Sequence, residues 1–120
     1  MIDNDYDDNL KTYTDKGYIR IPGTEDWVEV FDIDTGGYEW TAFKGFYSPS
    51  ARRYFWSGSS GCSCNSWDSD INTSEDFENG DRAALRNALR DFANEDWRED
   101  YFKNQVPETL VKIADFKEAQ

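Results

Sequence analysis

The chain contains no histidine among its 120 residues. That absence removes imidazole acid–base chemistry, Ser-His and Cys-His nucleophile activation, and every zinc site that uses a histidine ligand. Cysteine is nearly as scarce. Cys62 and Cys64 are the only two, too few to close a structural zinc site or to build a disulfide framework. No apolar run approaches the ~18 residues that a membrane span requires. The N-terminal stretch Met1-Ile-Asp-Asn-Asp-Tyr-Asp-Asp8 has neither the basic region nor the apolar core of a secretory signal. A cytoplasmic location is therefore the expectation. Positive charge is also short: 13 Lys and Arg face 25 Asp and Glu, a formal net charge of −12. This balance disfavours binding to nucleic-acid phosphates and to anionic membranes. It suits a partner with a basic patch, a mimic of a polyanion, or a well-solvated surface.

Large rings are abundant: five Trp, seven Tyr and eight Phe. They bury much area per residue, so a core is feasible although 32% of the chain is charged. The composition excludes global disorder, and the length fits one domain. Residues 1–16 are polar and acidic and read as a partly flexible tail, with Leu10 to Tyr13 as a docking point. Residues 17–120 read as a single domain.

Four strands are expected in that domain. Gly17–Pro22 alternates between Gly and Pro-Gly breakers, and Trp27–Asp34 is rich in β-branched and aromatic residues. Its alternation puts Trp27, Glu29, Phe31 and Ile33 on one face and Val28, Val30 and Asp32 on the other. Tyr38–Tyr47 follows, with a bulge expected at Gly45, and then Ala51–Ser57. Short turns between them predict an antiparallel meander. Helices come next. Asp81 is a good N-cap for a helix over Arg82 to Asn94, whose Leu85, Ala88, Leu89 and Phe92 recur at helical spacing. A further helical turn is expected near Trp97–Phe102. Val106-Pro107 opens a last helix that turns Leu110, Ile113, Ala114 and Phe116 inward. Strands followed by helices predict an α+β fold, a sheet with two or three helices packed on one face.

The most distinctive stretch joins these halves: Tyr54-Phe-Trp-Ser-Gly-Ser-Ser-Gly-Cys-Ser-Cys-Asn-Ser-Trp67. Ser57–Ser66 reads as a long loop of small residues bracketed by aromatics. Two glycines among hydroxyls suit an anion-binding nest of backbone N–H groups, yet the acidic run that follows repels phosphate. Cys62 and Cys64 suit redox chemistry, but strand-like geometry strains the closure of Cys-x-Cys. Asp68-Ser-Asp70-Ile-Asn72 begins like an EF-hand loop, then fails where Thr73 replaces Gly and Asn79 replaces Glu. No metal or other cofactor is expected. No Lys or Arg occurs from Tyr54 to Asp81. The row Arg82, Arg86, Arg90 repeats at helical spacing and is expected to pair with the acidic loop before it. The candidate binding residues are therefore Trp56, Gly58, Gly61, Cys62, Cys64, Asn65, Trp67, Asp68, Arg82, Arg86 and Arg90. No residue is assigned a catalytic role.

The run from Tyr54 to Asp68 resembles a motif of small uncharacterised accessory proteins encoded by actinobacterial phages, in which a Trp/Tyr-rich strand leads into Gly-Cys-Ser-Cys-Asn. The resemblance covers about fifteen residues and carries over no functional residue. It implies a phage gene product in the host cytoplasm, acting by binding to a host factor. The leading expectation is a non-enzymatic protein that binds, and inhibits or modulates, a host protein with a basic patch. Trp56 and Trp67 would be its exposed anchors. The alternative is a small-ligand module that takes an anionic metabolite or nucleotide between the Gly/Ser/Cys loop and the Arg row. A polyanion mimic, or an enzyme using a thiol or a metal on Asp68, Asp70 and Glu75, ranks below both.

Overall fold

The computed structural model describes residues 11–14, 17–95 and 98–118. The fold is α+β. Strands β1 (Lys11–Thr14) and β2 (Gly17–Arg20) form an antiparallel hairpin of their own. Strands β3 (Val28–Asp34), β4 (Glu39–Ser48), β5 (Arg53–Cys62) and β6 (Glu78–Gly80) form a four-stranded antiparallel sheet in that order. Three helices follow among the described residues: α1 (Arg82–Ala93), the single turn α2 (Asp100–Lys103) and α3 (Val106–Asp115).

Two strands differ from expectation. Gly17–Arg20 pairs with Lys11–Thr14 and not with the sheet, so part of the expected tail is strand. Leu10 lies outside the described residues. The fourth strand of the sheet is instead β6, which pairs with Tyr54–Trp56 after the acidic loop has returned to the sheet.

The expected faces of β3 are also revised. Its register shifts between Glu29 and Phe31, opposite Phe46 and Gly45. A bulge breaks the alternation of side chains, so Val30, Phe31 and Ile33 all enter one core while Trp27 enters the other. The irregularity expected at Gly45 thus lies on the opposing strand. Gly45 provides room: a Cβ there would sit 2.5 Å from the Phe31 ring.

Both faces of the sheet are covered. On one, Phe31, Ile33, Phe43, Tyr47, Tyr54 and Trp56 meet Leu85, Leu89, Phe102 and Ile113 from the helices. Asp81 caps α1 by accepting from Ala84 N at 2.8 Å. The apolar stripe of α1 then faces the strands as its spacing requires. Leu110 and Phe116 pack against the same core, whereas Ala114, expected inward, is exposed. Arg98 seals the upper edge, with its guanidinium 3.6 Å from the Phe92 ring centroid and its Nε donating to Phe92 O. Thr41 Oγ1 donates to Glu99 Oε1 at 2.6 Å, tying that linker to β4.

The opposite face is covered by no helix of the described residues. Trp27, Trp40, Phe46 and Phe55 meet Trp67, Ile71 and Phe77, with Ile21 beside them. Trp27 stacks on Phe55 at 4.4 Å and meets Phe77 edge-on at 4.9 Å. Each ring of this size stabilises by roughly 1.5–3 kcal/mol on burial. An irregular segment can therefore close a face if it delivers enough rings.

Candidate functional site

The stretch expected to be a loop is mostly strand. All ten residues of β5 pair with β4, from Glu39↔Cys62 to Ser48↔Arg53. The glycines that suggested a loop are there to clear space. A Cβ on Gly58 would come within 2.7 Å of both the Phe43 and Phe92 rings. One on Gly61 would lie 2.3 Å from Asn65 Oδ1. Glycine inside a strand often marks such a close approach. Because Gly58–Gly61 is extended and paired, its backbone does not form an anion nest. Positive φ among the described glycines occurs at Gly23, Gly36 and Gly37.

The candidate residues are divided between the two faces. Trp56 points to the helices and is 5% exposed. Its indole N–H has no hydrogen-bond partner among the described residues. Trp67 lies under the opposite face and is 9% exposed. Its Nε1 donates to Ser57 O at 2.9 Å, and the Lys44 ammonium lies 4.7 Å from its ring centroid. Lys44 in turn pairs with Asp32 at 3.7 Å. The expectation of exposed Trp anchors is therefore corrected. Both rings are core, because strand alternation turns Trp56 inward and the acidic loop is plugged into the sheet by Trp67.

Beyond β5 the chain makes a tight turn. Asn65 N donates to Cys62 O at 3.2 Å, and Cys62 N donates to Asn65 Oδ1 at 3.1 Å. Trp40, which the sequence reading did not single out, clamps this turn. Its Nε1 donates to Cys62 O at 2.8 Å and to Asn65 O at 3.0 Å. A tryptophan at the second position of β4, a ring to bury with an N–H that needs an acceptor, was the available signal. Cys62 is half-exposed and Cys64 exposed, and both thiols are free. The neighbouring Cys64 side chain pulls the Cys62 thiol below its ordinary value, while Cys62 pushes Cys64 upward.

The acidic loop is held from within. Ser69 N donates to Ser66 O and Ile71 N to Asp68 O, giving successive turns. Asp68 accepts from the Ser66 hydroxyl. A 3-10 turn at Ser74–Asp76 carries a capping box between Thr73 and Asp76. Asp76 also accepts from Asn72 N at 2.7 Å, and these backbone donors hold its carboxyl below the ordinary carboxylate range. Ser74 N donates to Pro22 O at 2.9 Å, stitching the loop to the segment that carries Trp27. With Trp67, Ile71 and Phe77 buried, the exposed residues of the loop include Asp70, Glu75 and Asp76, and Glu78 follows in β6. No group of three or more potential metal ligands converges among the described residues.

The arginine row is used differently from expectation. Arg82 reaches the end of α3, donating to Ile113 O at 2.6 Å and Phe116 O at 2.9 Å, and pairs with Glu118 at 3.0 Å. A cation at a helix C-terminus complements its dipole. Its carboxylate partner thus lies after α3 and not in the acidic loop. Tyr54 donates to the same Glu118 carboxylate at 2.8 Å. Burial first, and then this bond, push the tyrosine hydroxyl well above its ordinary value. Arg86 and Arg90 are exposed on α1. No hydrogen bond or ion pair among the described residues joins the row to the cysteine turn.

No helix among the described residues is long and apolar enough to cross a membrane. Residues 24–120 match the family model of a domain of unknown function, DUF7574. The match begins after the N-terminal hairpin and takes in the whole sheet and all three helices. No curated protein and no solved structure shows a significant match.

Proposed function

The chain belongs to the DUF7574 family, and for this member we propose a non-enzymatic role: stoichiometric binding, through its acidic loop, to a protein with a basic patch. The phage-like motif at Tyr54–Asp68 supports a host protein as that partner, inhibited or modulated in the host cytoplasm. One observation carries the reading. The carboxylates of Asp70, Glu75 and Glu78 are exposed along a segment whose apolar residues are anchored in the sheet, with no Lys or Arg between Tyr54 and Asp81. Charges in fixed positions lose little conformational freedom on binding, so more of their attraction appears as affinity. They also steer encounter with a cationic surface, in a way that salt screens. The contact surface is thus the rim of acids and not the tryptophans beneath it.

The test is capture from host lysate by the tagged protein, followed by titration with the purified partner. The triple variant Asp70→Lys/Glu75→Lys/Glu78→Lys is expected to weaken binding roughly a hundredfold, since like charges oppose across the interface. Wild-type binding is expected to weaken as salt is raised. Thermal stability of the variant is expected to change little, because each site is on the surface. A partner held equally well by the triple variant, at any salt concentration, would refute the proposal.

A further inference from the structure

The thiol pair at the end of β5 has no part in the acidic-surface reading. In an extended strand, residues two apart are separated by roughly 7 Å, the distance beyond which cysteines cannot be bridged. That geometry was the objection to a bond between Cys62 and Cys64. The structure removes it: β5 ends at Cys62, and Ser63 and Cys64 occupy a turn closed by the Asn65 N to Cys62 O bond. A turn draws its residues together, and here the Cys62 and Cys64 side chains hydrogen-bond to each other, which places the two sulfurs side by side.

The framework of the turn does not depend on the sulfurs. Asn65 Oδ1 holds Cys62 N, and the Trp40 indole holds the carbonyls at both ends. The Asn65 amide lies across Gly61, where no side chain obstructs it. Both thiols reach solvent, Cys64 more than Cys62. Cys62 is the better thiolate of the two, because the Cys64 side chain stabilises its charge.

We propose that Cys62 and Cys64 form a reversible dithiol–disulfide couple that exchanges with low-molecular-weight disulfides of the glutathione disulfide class. The Cys62 thiolate attacks one sulfur of the small disulfide. The S–S bond breaks, and one small thiolate leaves with the electron pair and takes up a proton. Cys64 then gives its proton to solvent and attacks Cys62 Sγ, expelling the second small thiolate. The protein loses two protons and two electrons, and the small disulfide takes up both to become two thiols. The ring closed by two cysteines a single residue apart is small, and a strained disulfide is readily reduced. The couple is therefore reversible, and not a staple of the fold.

The full chain is equilibrated in mixtures of reduced and oxidised glutathione, quenched with acid, alkylated and weighed by mass spectrometry. The wild type is expected to lose both free thiols together, becoming lighter by two hydrogens with no glutathione attached. Excess reduced glutathione is expected to restore it. The Cys64→Ser variant is expected to trap glutathione on Cys62. On the wild type, mixed disulfides trapped by an early acid quench near neutral pH are expected on Cys62 and not on Cys64. Persistent glutathione adducts on the wild type without an internal bond overturn the proposal, as does a disulfide joining two chains. Early mixed disulfides found on wild-type Cys64 and not on Cys62 overturn the assignment of Cys62 as the attacking thiol.

Discussion

The two faces of the sheet are closed by different means. On the helix face, aliphatic residues at helical spacing, Leu85 and Leu89 of α1 and Ile113 of α3, pack on Phe31, Phe43 and Trp56. On the other, the cover comes from the segment around Ile21–Trp27 and from the acidic loop, which insert Trp67, Ile71 and Phe77 onto Trp27, Trp40 and Phe46. A helix presents its apolar residues by a repeating geometry. The loop cover has no repeat, so each ring is positioned by its own bonds: Trp67 to Ser57 O, Ser74 N to Pro22 O, and Asp76 to the Asn72 and Thr73 amides. The difference shows how a chain poor in aliphatic residues uses both sides of one sheet. Rings replace regular structure, and the solvent side of the same segment is left entirely to acids and small polar groups.

If the two covers are equal partners in the fold, truncating a ring under either should cost alike. Trp67→Ala and Phe102→Ala are each expected to destabilise by about 3–5 kcal/mol, measured by denaturant unfolding. That is a large share of the total for a domain of this kind. A cost below about 1 kcal/mol for Trp67→Ala would reduce the loop cover to an ornament.

The next largest effect sharpens the account of β5. Gly58→Ala forces a methyl group between the Phe43 and Phe92 rings and is expected to cost about 1–3 kcal/mol. Gly61→Ala displaces the Asn65 side chain, and its damage should be local to the cysteine turn, visible as a change in Trp40 fluorescence. If both are neutral, the glycines are not there to clear space.

Caps give a smaller contrast. Asp81→Ala removes the N-cap of α1 and is expected to cost about 1 kcal/mol. Thr73→Ala removes one side of the capping box in the loop, and a cost of about half that, at the low end for caps, is expected from the denaturation midpoint.

The smallest contrast is with pH. Burial raises the Asp26 carboxyl, but bonds from the Ser50 side chain and N–H and from the Ser48 hydroxyl outweigh it and leave the group below its ordinary range. Asp76 is lowered by the Asn72 and Thr73 amides. A carboxyl depressed in the fold stabilises at pH values above its unfolded value, and that contribution is lost as pH falls through the folded one. Glu29 acts in the opposite sense. Burial and Asp32 raise it, so its charged form opposes folding at neutral pH, and that opposition is relieved by acid. Acid titration should therefore loosen the cover formed by the 21–27 and 66–77 segments before the helix face. Asp26→Asn and Asp76→Asn should each flatten that dependence.

Much of the helix face was legible beforehand. The Asp81 cap, the Leu85–Leu89–Phe92 spacing and the Val106-Pro107 start are local signals, and local signals survive in a sequence. The other face was hidden because its determinants are distant in the chain. Gly58 and Gly61 read as loop residues until Phe92 and Asn65 are seen occupying the space above them. The three residues of β6, Glu78-Asn-Gly80, carry no strand signal and are ordered by Tyr54–Trp56. Arg82 finds Glu118 and the carbonyls of Ile113 and Phe116, not the acids just before it. Trp67 was visible as a residue, yet its burial depends on Phe46 and Phe77. The stretch that the sequence singled out is thus turned inside out relative to expectation, with rings inward and carboxylates outward.

Amide hydrogen exchange over residues 66–77 tests most directly whether the acidic loop is a rigid cover. The Ile71, Ser74 and Phe77 amides donate to Asp68 O, Pro22 O and Ser74 O. They are expected to be protected and to open with the sheet as one cooperative unit. Exchange of these amides at the rate of an unfolded chain, while Leu85 and Leu89 in α1 remain protected, would contradict the account and remove the fixed platform on which the binding proposal stands.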